Sequence, residues 1–341
     1  MQDNIQDQTP EWIKSSSSLY EDNYFLAFVQ QQTSSPKITL TTSLKGTCRF
    51  CGKCKPNVTY KKDAHAFSES IGNKSIFVDY ECDDCNQAFG STIENEFGNW
   101  SLVYRTVSQV KGKRGTSTVK REHAGFRVDW ADPTQLSLTM REDFPWCTID
   151  EERKEIRIDM PQESYVPLSV FKAFVKMALM IIPEANIDAF DNVITWLGQK
   201  KSIESDIPLL VSSKALQTVI PGIPPPGWLF AALAVRKTDD LSLPYATFVL
   251  AFGNYAFQIL LPCMEKHQNI DVTLIPFPIM LGVDPTRPIQ PQEIDLSGTA
   301  RMKNETVPTV FHFDVVEKIE HKMPTSESNN INESDGDHNT L

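Results

Sequence analysis

The sequence contains no apolar run long enough to cross a lipid bilayer. Its most apolar stretch, residues 245–261, is interrupted by Gly253 and Asn254, whereas a membrane helix needs about 20 mostly apolar residues. The first ten residues show no basic and then apolar secretion signal. These absences favour a cytoplasmic protein that does not enter a membrane.

The sequence also lacks the even number of cysteines that a disulfide framework would need. It has seven, and without a secretion signal we expect them to be reduced. Four of them form two Cys-x-x-Cys pairs, which are Cys48 with Cys51 and Cys82 with Cys85. The other three are interpreted as ordinary thiols, although Cys54 is close enough to Cys51 to replace it as a metal ligand.

Negative charge dominates the chain as a whole but not the region around the cysteine pairs. The net charge is −11, yet residues 45–127 hold 14 Lys and Arg against 9 Asp and Glu, a net charge of +5. A basic region within an acidic chain suits binding to a polyanion such as nucleic acid. A chance difference between solvated surfaces is the alternative.

Changes in composition divide the chain into five parts. We predict a lead-in and helix over residues 1–36, a domain with both cysteine pairs over 37–127, a connecting region over 128–160, an α+β domain over 161–322 and a disordered tail over 323–341. Helical spacing of apolar residues predicts helices at 19–32, 86–100 and from 167 onward. Gly253-Asn254 between two strand-like runs predicts a hairpin.

The two cysteine pairs predict a structural zinc site. Four thiolates in two Cys-x-x-Cys pairs can surround one tetrahedral Zn²⁺, because each two-residue spacer lets both sulfurs face the ion. Scattered thiols and redox pairs are the alternatives, but Gly52 and Asn86, which follow the pairs, favour zinc. A closed site of four cysteines leaves no open position for substrate. Any chemistry must therefore come from the residues that the zinc holds in place, namely His65 and Asn86.

The segment between and after the cysteine pairs carries a recognisable order of short motifs. It reads Ala64-His65-Ala66, then Gly72-Asn73, then the second pair followed by Asn86, and then Phe89-Gly90 before a Glu-rich helix. Over about residues 46–105 this order resembles the zinc-knuckle HNH endonucleases of the His-Me finger, or ββα-metal, group. We therefore expect an α+β protein with an N-terminal ββα-metal (HNH) domain and a C-terminal α+β domain.

The resemblance implies a role for each motif. His65 would be the general base that activates water, since a neutral imidazole suits this task near neutral pH. Asn86 would hold the backbone of the loop that carries His65, and a helix N-cap is its other interpretation. A divalent cation separate from the zinc, Mg²⁺ or another, would bind the scissile phosphate.

The chain departs from its relatives on the helix after the second pair. Where colicin-type members place a metal-binding histidine, this sequence has Asn95, which would be the third catalytic residue. Glu94, Asn95 and Asn99 offer oxygen ligands that suit Mg²⁺, and a solvated helix face is their alternative interpretation. Asp63 would face the same way as His65 on a regular strand, so it is a fourth candidate ligand.

A basic loop follows this helix. Five side chains could neutralise DNA phosphates without reading bases, namely Lys111, Lys113, Arg114, Lys120 and Arg121. An exposed flexible loop without a partner is the alternative interpretation.

These observations predict a metal-dependent HNH endonuclease that acts on DNA. A zinc-knuckle protein that binds nucleic acid without cleaving it is one alternative. Another is a nuclease effector whose C-terminal domain senses a small-molecule or protein regulator, by analogy of fold alone. The oligomeric state is not predicted by any of these features.

Overall fold

The computed structural model of the protein describes residues 11–32, 36–121, 125–141, 144–198, 213–220, 227–263 and 291–317, with 222, 224–225, 266 and 274–278 between them. The predicted lead-in before residue 11 and the predicted tail over 323–341 lie outside the described residues. Helices and strands are both abundant, and the second half is rich in sheet, so the α+β fold class is confirmed. No helix in the described ranges is long and apolar enough to span a membrane.

The chain begins with helix α1 (Glu11–Asn23) and strand β1 (Tyr24–Gln32). The prediction of a helix over residues 19–32 is therefore wrong beyond residue 23. β1 pairs antiparallel with a strand of the second half, from Tyr24 opposite Arg236 to Gln32 opposite Leu229. Pairing with a distant strand outweighs local apolar spacing here, because strand formation depends strongly on tertiary context.

A ββα unit forms around the cysteine pairs. Its small sheet has the order β2-β4-β3, in which β2 (Ile38–Leu40) runs parallel and β3 (Ala64–His65) antiparallel to β4 (Ile76–Val78). Three short helices follow, α2 (Asp83–Ser91), α3 (Ile93–Trp100) and α4 (Leu102–Val107).

The helix predicted over residues 86–100 differs from the observed one in two ways. It begins earlier, at Asp83, because extended Cys82 caps it and two acidic residues favour its positive end. It is also interrupted at Thr92, whose backbone angles of φ −121° and ψ −99° are not helical. Asn86 thus lies within α2 and is not its N-cap.

The middle of the chain is built from short strands. A hairpin of β5 (Lys111–Gly112) and β6 (Gly115–Thr116) precedes a three-stranded sheet of β7 (Val119–Arg121), β8 (Phe126–Asp132) and β9 (Gln135–Thr139). Strands β10 (Cys147–Asp150) and β11 (Glu155–Pro161) follow as an antiparallel pair.

The second half starts with a buried helix. Helix α5 (Pro167–Ile181) begins at a proline, as predicted. Proline is tolerated there because the N–H group that it lacks would have no partner in the first helical turn. A 3-10 helix over Glu184–Phe190 and helix α6 (Asp191–Gly198) come next.

An antiparallel six-stranded sheet completes the fold, in the order β1-β13-β14-β15-β12-β16. Its strands beyond β1 are β12 (Lys214–Val219), β13 (Leu229–Arg236), β14 (Ala246–Phe252), β15 (Tyr255–Leu260) and β16 (Gln292–Asp295). The predicted hairpin at Gly253-Asn254 joins β14 to β15. A last strand, β17 (Thr306–His312), pairs with β11.

The two halves share one core. Phe97 of α3 meets Phe174 of α5 edge to face at a ring-centroid distance of 5.3 Å, and Trp100 of α3 meets Phe257 of β15 at 4.9 Å. Phe97 and Trp100 are almost fully buried by these contacts. The predicted domain boundaries stay predictions, but the apolar face of α3 is covered mainly by residues far along the chain.

Polar contacts also link the cysteine pairs to the second half. The Arg49 guanidinium, which lies over the Tyr80 ring, donates to the carbonyl of Leu179 at 2.7 Å. The Tyr80 hydroxyl donates to the carbonyl of Met180. A cation at the C-terminal end of a helix is favourable, because the last carbonyl groups carry partial negative charge.

Candidate metal centre and catalytic site

The four cysteines of the two pairs form one cluster. The first pair lies in a tight loop closed by a hydrogen bond from Cys48 N to Lys53 O at 2.9 Å, and the second pair lies at the start of α2. The sulfur atoms of Cys48, Cys51, Cys82 and Cys85 all lie within 4.8 Å of one another.

The spacing of these sulfurs fits a zinc ion. The Cys51 and Cys82 sulfurs are 3.8 Å apart, and a tetrahedron with Zn–S bonds of about 2.3 Å places its sulfurs about 3.8 Å apart. Contact between the two thiols lowers the pKa of Cys48 and raises that of Cys85, so a bound cation would be needed to hold both as thiolates. Exposed Cys54 is not part of the cluster. The site could therefore hold one structural zinc.

His65 lies on strand β3, directly opposite Phe77 of β4. Its imidazole packs against the Phe77 ring at a centroid distance of 4.5 Å. Burial lowers the pKa of His65 below 6.5, although three nearby carboxylates oppose the shift, those of Glu69, Glu94 and Asp63. The imidazole is therefore neutral at neutral pH, which is the form that accepts a proton.

Asn73, which the sequence analysis named only as part of the Gly72-Asn73 motif and gave no role, holds the turn after His65. Asn73 is fully buried, and its side-chain nitrogen donates to the carbonyls of Phe67 and Ile76, both at 2.9 Å. Its oxygen accepts from the backbone N–H groups of Ser75 and Ile76 at 3.3 and 3.0 Å. Its position after Gly72, in a turn between two extended segments, was the signal that could have found it.

Asn86 does not hold that loop in this structure. Its backbone N–H donates to Cys82 O at 2.9 Å within α2, and its side chain makes no hydrogen bond to any residue in the described part of the chain. The segment leading to His65 is instead bonded to the neighbouring Asp83, whose carboxylate accepts from the Lys61 and Lys62 N–H groups.

Three of the four candidate ligands of a catalytic cation have other partners. Asp63 is exposed and paired with Lys37 at 2.5 Å, and Asn99 donates to Ser164 O at 3.2 Å. Asn95 is exposed on α3. In the ranges that the structure describes, the cysteine cluster is the only group of three or more His, Cys, Asp or Glu ligand atoms close enough to share an ion. Asp63 and Glu94 both lie near enough to His65 to act on its charge, and the four ligands stay a prediction.

Glu94 belongs instead to a buried ion triad. The Lys176 ammonium of α5 donates to Glu94 at 2.7 Å and to Glu81 at 3.1 Å, and the side chains of Lys176 and Glu81 are 1% and 0% exposed. Burial raises the pKa of Glu81 to about 7. Burial alone would lower the pKa of Lys176, but the two carboxylates raise it, so we take the ammonium as charged. Two lysines, Lys172 and Lys176, within an otherwise apolar helix were the signal in the sequence.

The predicted basic loop lies beside the turn that follows His65. Gly112 packs so closely on the 3-10 turn Glu69–Ile71 that an added Cβ would lie 3.5 Å from the Ser70 Cα. Lys111, Lys113 and Arg114 project from this hairpin, and none has an acidic partner among the described residues.

The other two basic residues of the loop lie further along, on β7. Lys120 is exposed, whereas Arg121 is paired with Glu163 at 2.5 Å and also donates to Gln162 O. Of the five predicted phosphate contacts, Arg121 is therefore already engaged by an acidic group.

A histidine on a short strand, next to a helix whose first turn carries two of the four clustered cysteines, is similar to the arrangement of the ββα-metal nucleases. Residues 48–102 match the family model of the HNH endonucleases. The resemblance inferred from the motifs is thus confirmed for this segment, and it indicates nuclease chemistry on a nucleic acid. No curated protein and no solved structure matches the chain.

Proposed function

We propose that the protein is an endonuclease that hydrolyses phosphodiester bonds of DNA, with His65 as its general base. The observation that carries the proposal is the placement of His65 within the matched segment. A neutral, half-buried imidazole lies close to a turn that packs against an exposed basic hairpin. This supports the proposal, because a proton acceptor and cations able to bind a phosphate backbone both border the same turn.

The chemistry follows from these side chains. Lys111, Lys113 and Arg114 bind phosphates flanking the scissile bond and orient the strand without reading its bases. His65 accepts a proton from a water molecule as the water attacks phosphorus, and the sugar oxygen on the opposite side departs. The zinc holds the two cysteine pairs together and takes no part in the reaction.

Dependence on Mg²⁺ or another divalent cation is part of the proposal, and its ligands are not assigned. Asp63 and Glu94 are engaged by lysines and Asn99 by a backbone carbonyl, so no step is attributed to a cation. This same observation favours the second candidate function, a zinc-knuckle protein that binds nucleic acid without cleaving it. Salt-sensitive binding to DNA with no cleavage in any divalent metal would support that alternative.

Control by the second half is a further proposal. Its support is that α5 provides Lys176, which binds Glu94 beside the candidate site. No ligand for a regulatory domain is proposed.

A cleavage assay tests the leading proposal. Zinc-loaded protein would be incubated with plasmid and with single-stranded DNA in Mg²⁺, Mn²⁺ and Ni²⁺. We expect strand scission by the natural protein and a loss of roughly 100-fold or more in His65→Ala, since general bases typically contribute 10²- to 10⁴-fold.

The matched control is His312→Ala, which removes an exposed histidine from β17. It should cut at the natural rate. Equal cutting by His65→Ala and the natural protein would contradict the assignment of the base.

A further inference from the structure

The strand that carries His65 is too short to fix its own position. β3 has two residues, which pair with Phe77 and Val78 of β4. The imidazole packs on Phe77 but makes no side-chain hydrogen bond to any residue that the structure describes. Its location therefore also depends on the backbone on either side. Ala66 N donates to Ile76 O at 3.0 Å after β3, and residues 59–62 lead into it.

Asp83 fastens that backbone through both its carboxylate and its amide. The carboxylate accepts from Lys61 N at 2.9 Å, from Lys62 N at 3.0 Å and from the Thr59 hydroxyl at 2.5 Å. The Asp83 N–H donates in turn to Thr59 O at 2.8 Å. One side chain thus fixes three of the four residues in the segment.

The position of Asp83 depends in turn on the cysteine cluster. It is the first residue of α2 and stands between Cys82 and Cys85, whose sulfurs both belong to the cluster. A bound zinc would fix the backbone on both sides of Asp83, because it fixes both sulfurs. The same carboxylate is favoured by the positive end of α2.

We propose that Asp83 is a positioning residue of the nuclease site, transmitting the geometry of the second cysteine pair to the strand that carries His65. The inference rests on the proposed function of His65. Asp83 bonds to three residues before β3 and to none that would touch the reacting atoms, so it acts through the backbone. Loss of the carboxylate displaces the imidazole without removing it.

The neighbouring residue provides a matched control. Asp84 has the same charge and lies in the same Cys-x-x-Cys pair, but it is exposed and makes no hydrogen bond within the described ranges. In zinc-loaded full-length protein, Asp83→Ala should lower kcat by roughly 10- to 100-fold with KM unchanged, because a displacement near 1 Å can cost about that much. Asp84→Ala should stay within about twofold of the natural rate.

Two further variants separate positioning from general structural support. Asp83→Asn keeps one acceptor oxygen and should recover part of the lost kcat. In a His65→Ala background, Asp83→Ala should change the residual rate by less than about twofold, because residues that act as a unit are not additive. A further large loss in that background would overturn the proposal.

Hydrogen exchange tests the attachment without any need for cleavage. Asp83→Ala should lose protection at the Lys61 and Lys62 amides while α3 and the six-stranded sheet keep theirs, and Asp84→Ala should match the natural protein. If the natural protein cuts no DNA, the proposed function fails, and the exchange data alone decide whether Asp83 holds the segment. Unchanged protection in Asp83→Ala, or an unchanged kcat beside an active natural protein, would overturn the inference.

Discussion

At the scale of single residues, one side chain stabilises the backbone near the candidate site and another is the proposed general base. Asn73 uses its buried amide to hold four backbone groups around the turn after His65. The His65 imidazole makes no hydrogen bond to any residue that the structure describes, so it is available for proton transfer. The roles can therefore be separated by substitution.

Replacing Asn73 should damage stability more than a surface substitution. Asn73→Ala removes the donor to the Phe67 carbonyl and the acceptor of the Ser75 and Ile76 N–H groups. The Ile76 carbonyl keeps the Ala66 N–H as a donor. We therefore expect the free energy of unfolding to fall by about 2–4 kcal/mol. Urea unfolding of the zinc-loaded protein measures this. Asn57→Ala, at an exposed position, should change it by less than about 0.5 kcal/mol. Equal losses would show that the amide of Asn73 is not holding the turn.

The lowered pKa of His65 sets the acid limit of activity. A general base works in its neutral form, and burial keeps the imidazole neutral to a lower pH than the ordinary value of 6.5. We expect kcat/KM to be constant above that value and to fall only as pH drops through the lowered pKa. Rates measured from about pH 5 to pH 8 test this. A pH profile in which the fall of kcat/KM is centred above pH 6.5 would contradict this prediction.

At the scale of elements, the hairpin of β5 and β6 should set affinity and not the chemical step. Replacing Lys111 and Lys113 with Gln removes two phosphate contacts, so the slope of log affinity against log salt should become shallower by about 2. Filter binding on DNA across salt concentrations measures the slope. The matched double variant, Lys154→Gln with Lys303→Gln, removes two exposed lysines elsewhere and should leave the slope unchanged.

The elements that could be predicted from sequence are those with local causes. The start of α5 at Pro167 and the hairpin at Gly253-Asn254 depend on the conformations that proline and glycine allow. The cysteine cluster was also predictable, because ligand spacing lies within the sequence. Strand β1 was not, because its cause is a partner strand about 200 residues later. The carboxylate partners of Lys176 could not be predicted either, because they also lie far from it in the sequence.

At the scale of the whole molecule, the ion triad ties α5 to the nuclease segment. Lys176→Met removes the cation and leaves Glu81 buried without a partner, so the free energy of unfolding should fall by about 3–5 kcal/mol. Urea unfolding with zinc present measures this loss.

Lys172→Met is the matched control on the same helix. Lys172 is also buried, but it donates only to the Trp196 carbonyl and leaves no carboxylate behind. Its loss should lower the free energy of unfolding by about 1–3 kcal/mol, which is the cost of leaving one buried neutral group without its partner. A cost as large as that of Lys176→Met would contradict the account of the triad.

The packing of α3 has a consequence for how the protein is made. Trp100 is covered by Phe174 and Phe257, so the ribosome must add more than 150 further residues before that face can close. At synthesis rates of about 5–20 residues per second, this delay is roughly 8 to 30 seconds. We expect the candidate site to mature only after about residue 257 has been made, and protease sensitivity of α3 in stalled chains would measure it. On the proposed function, the nascent chain could not cut DNA before that point.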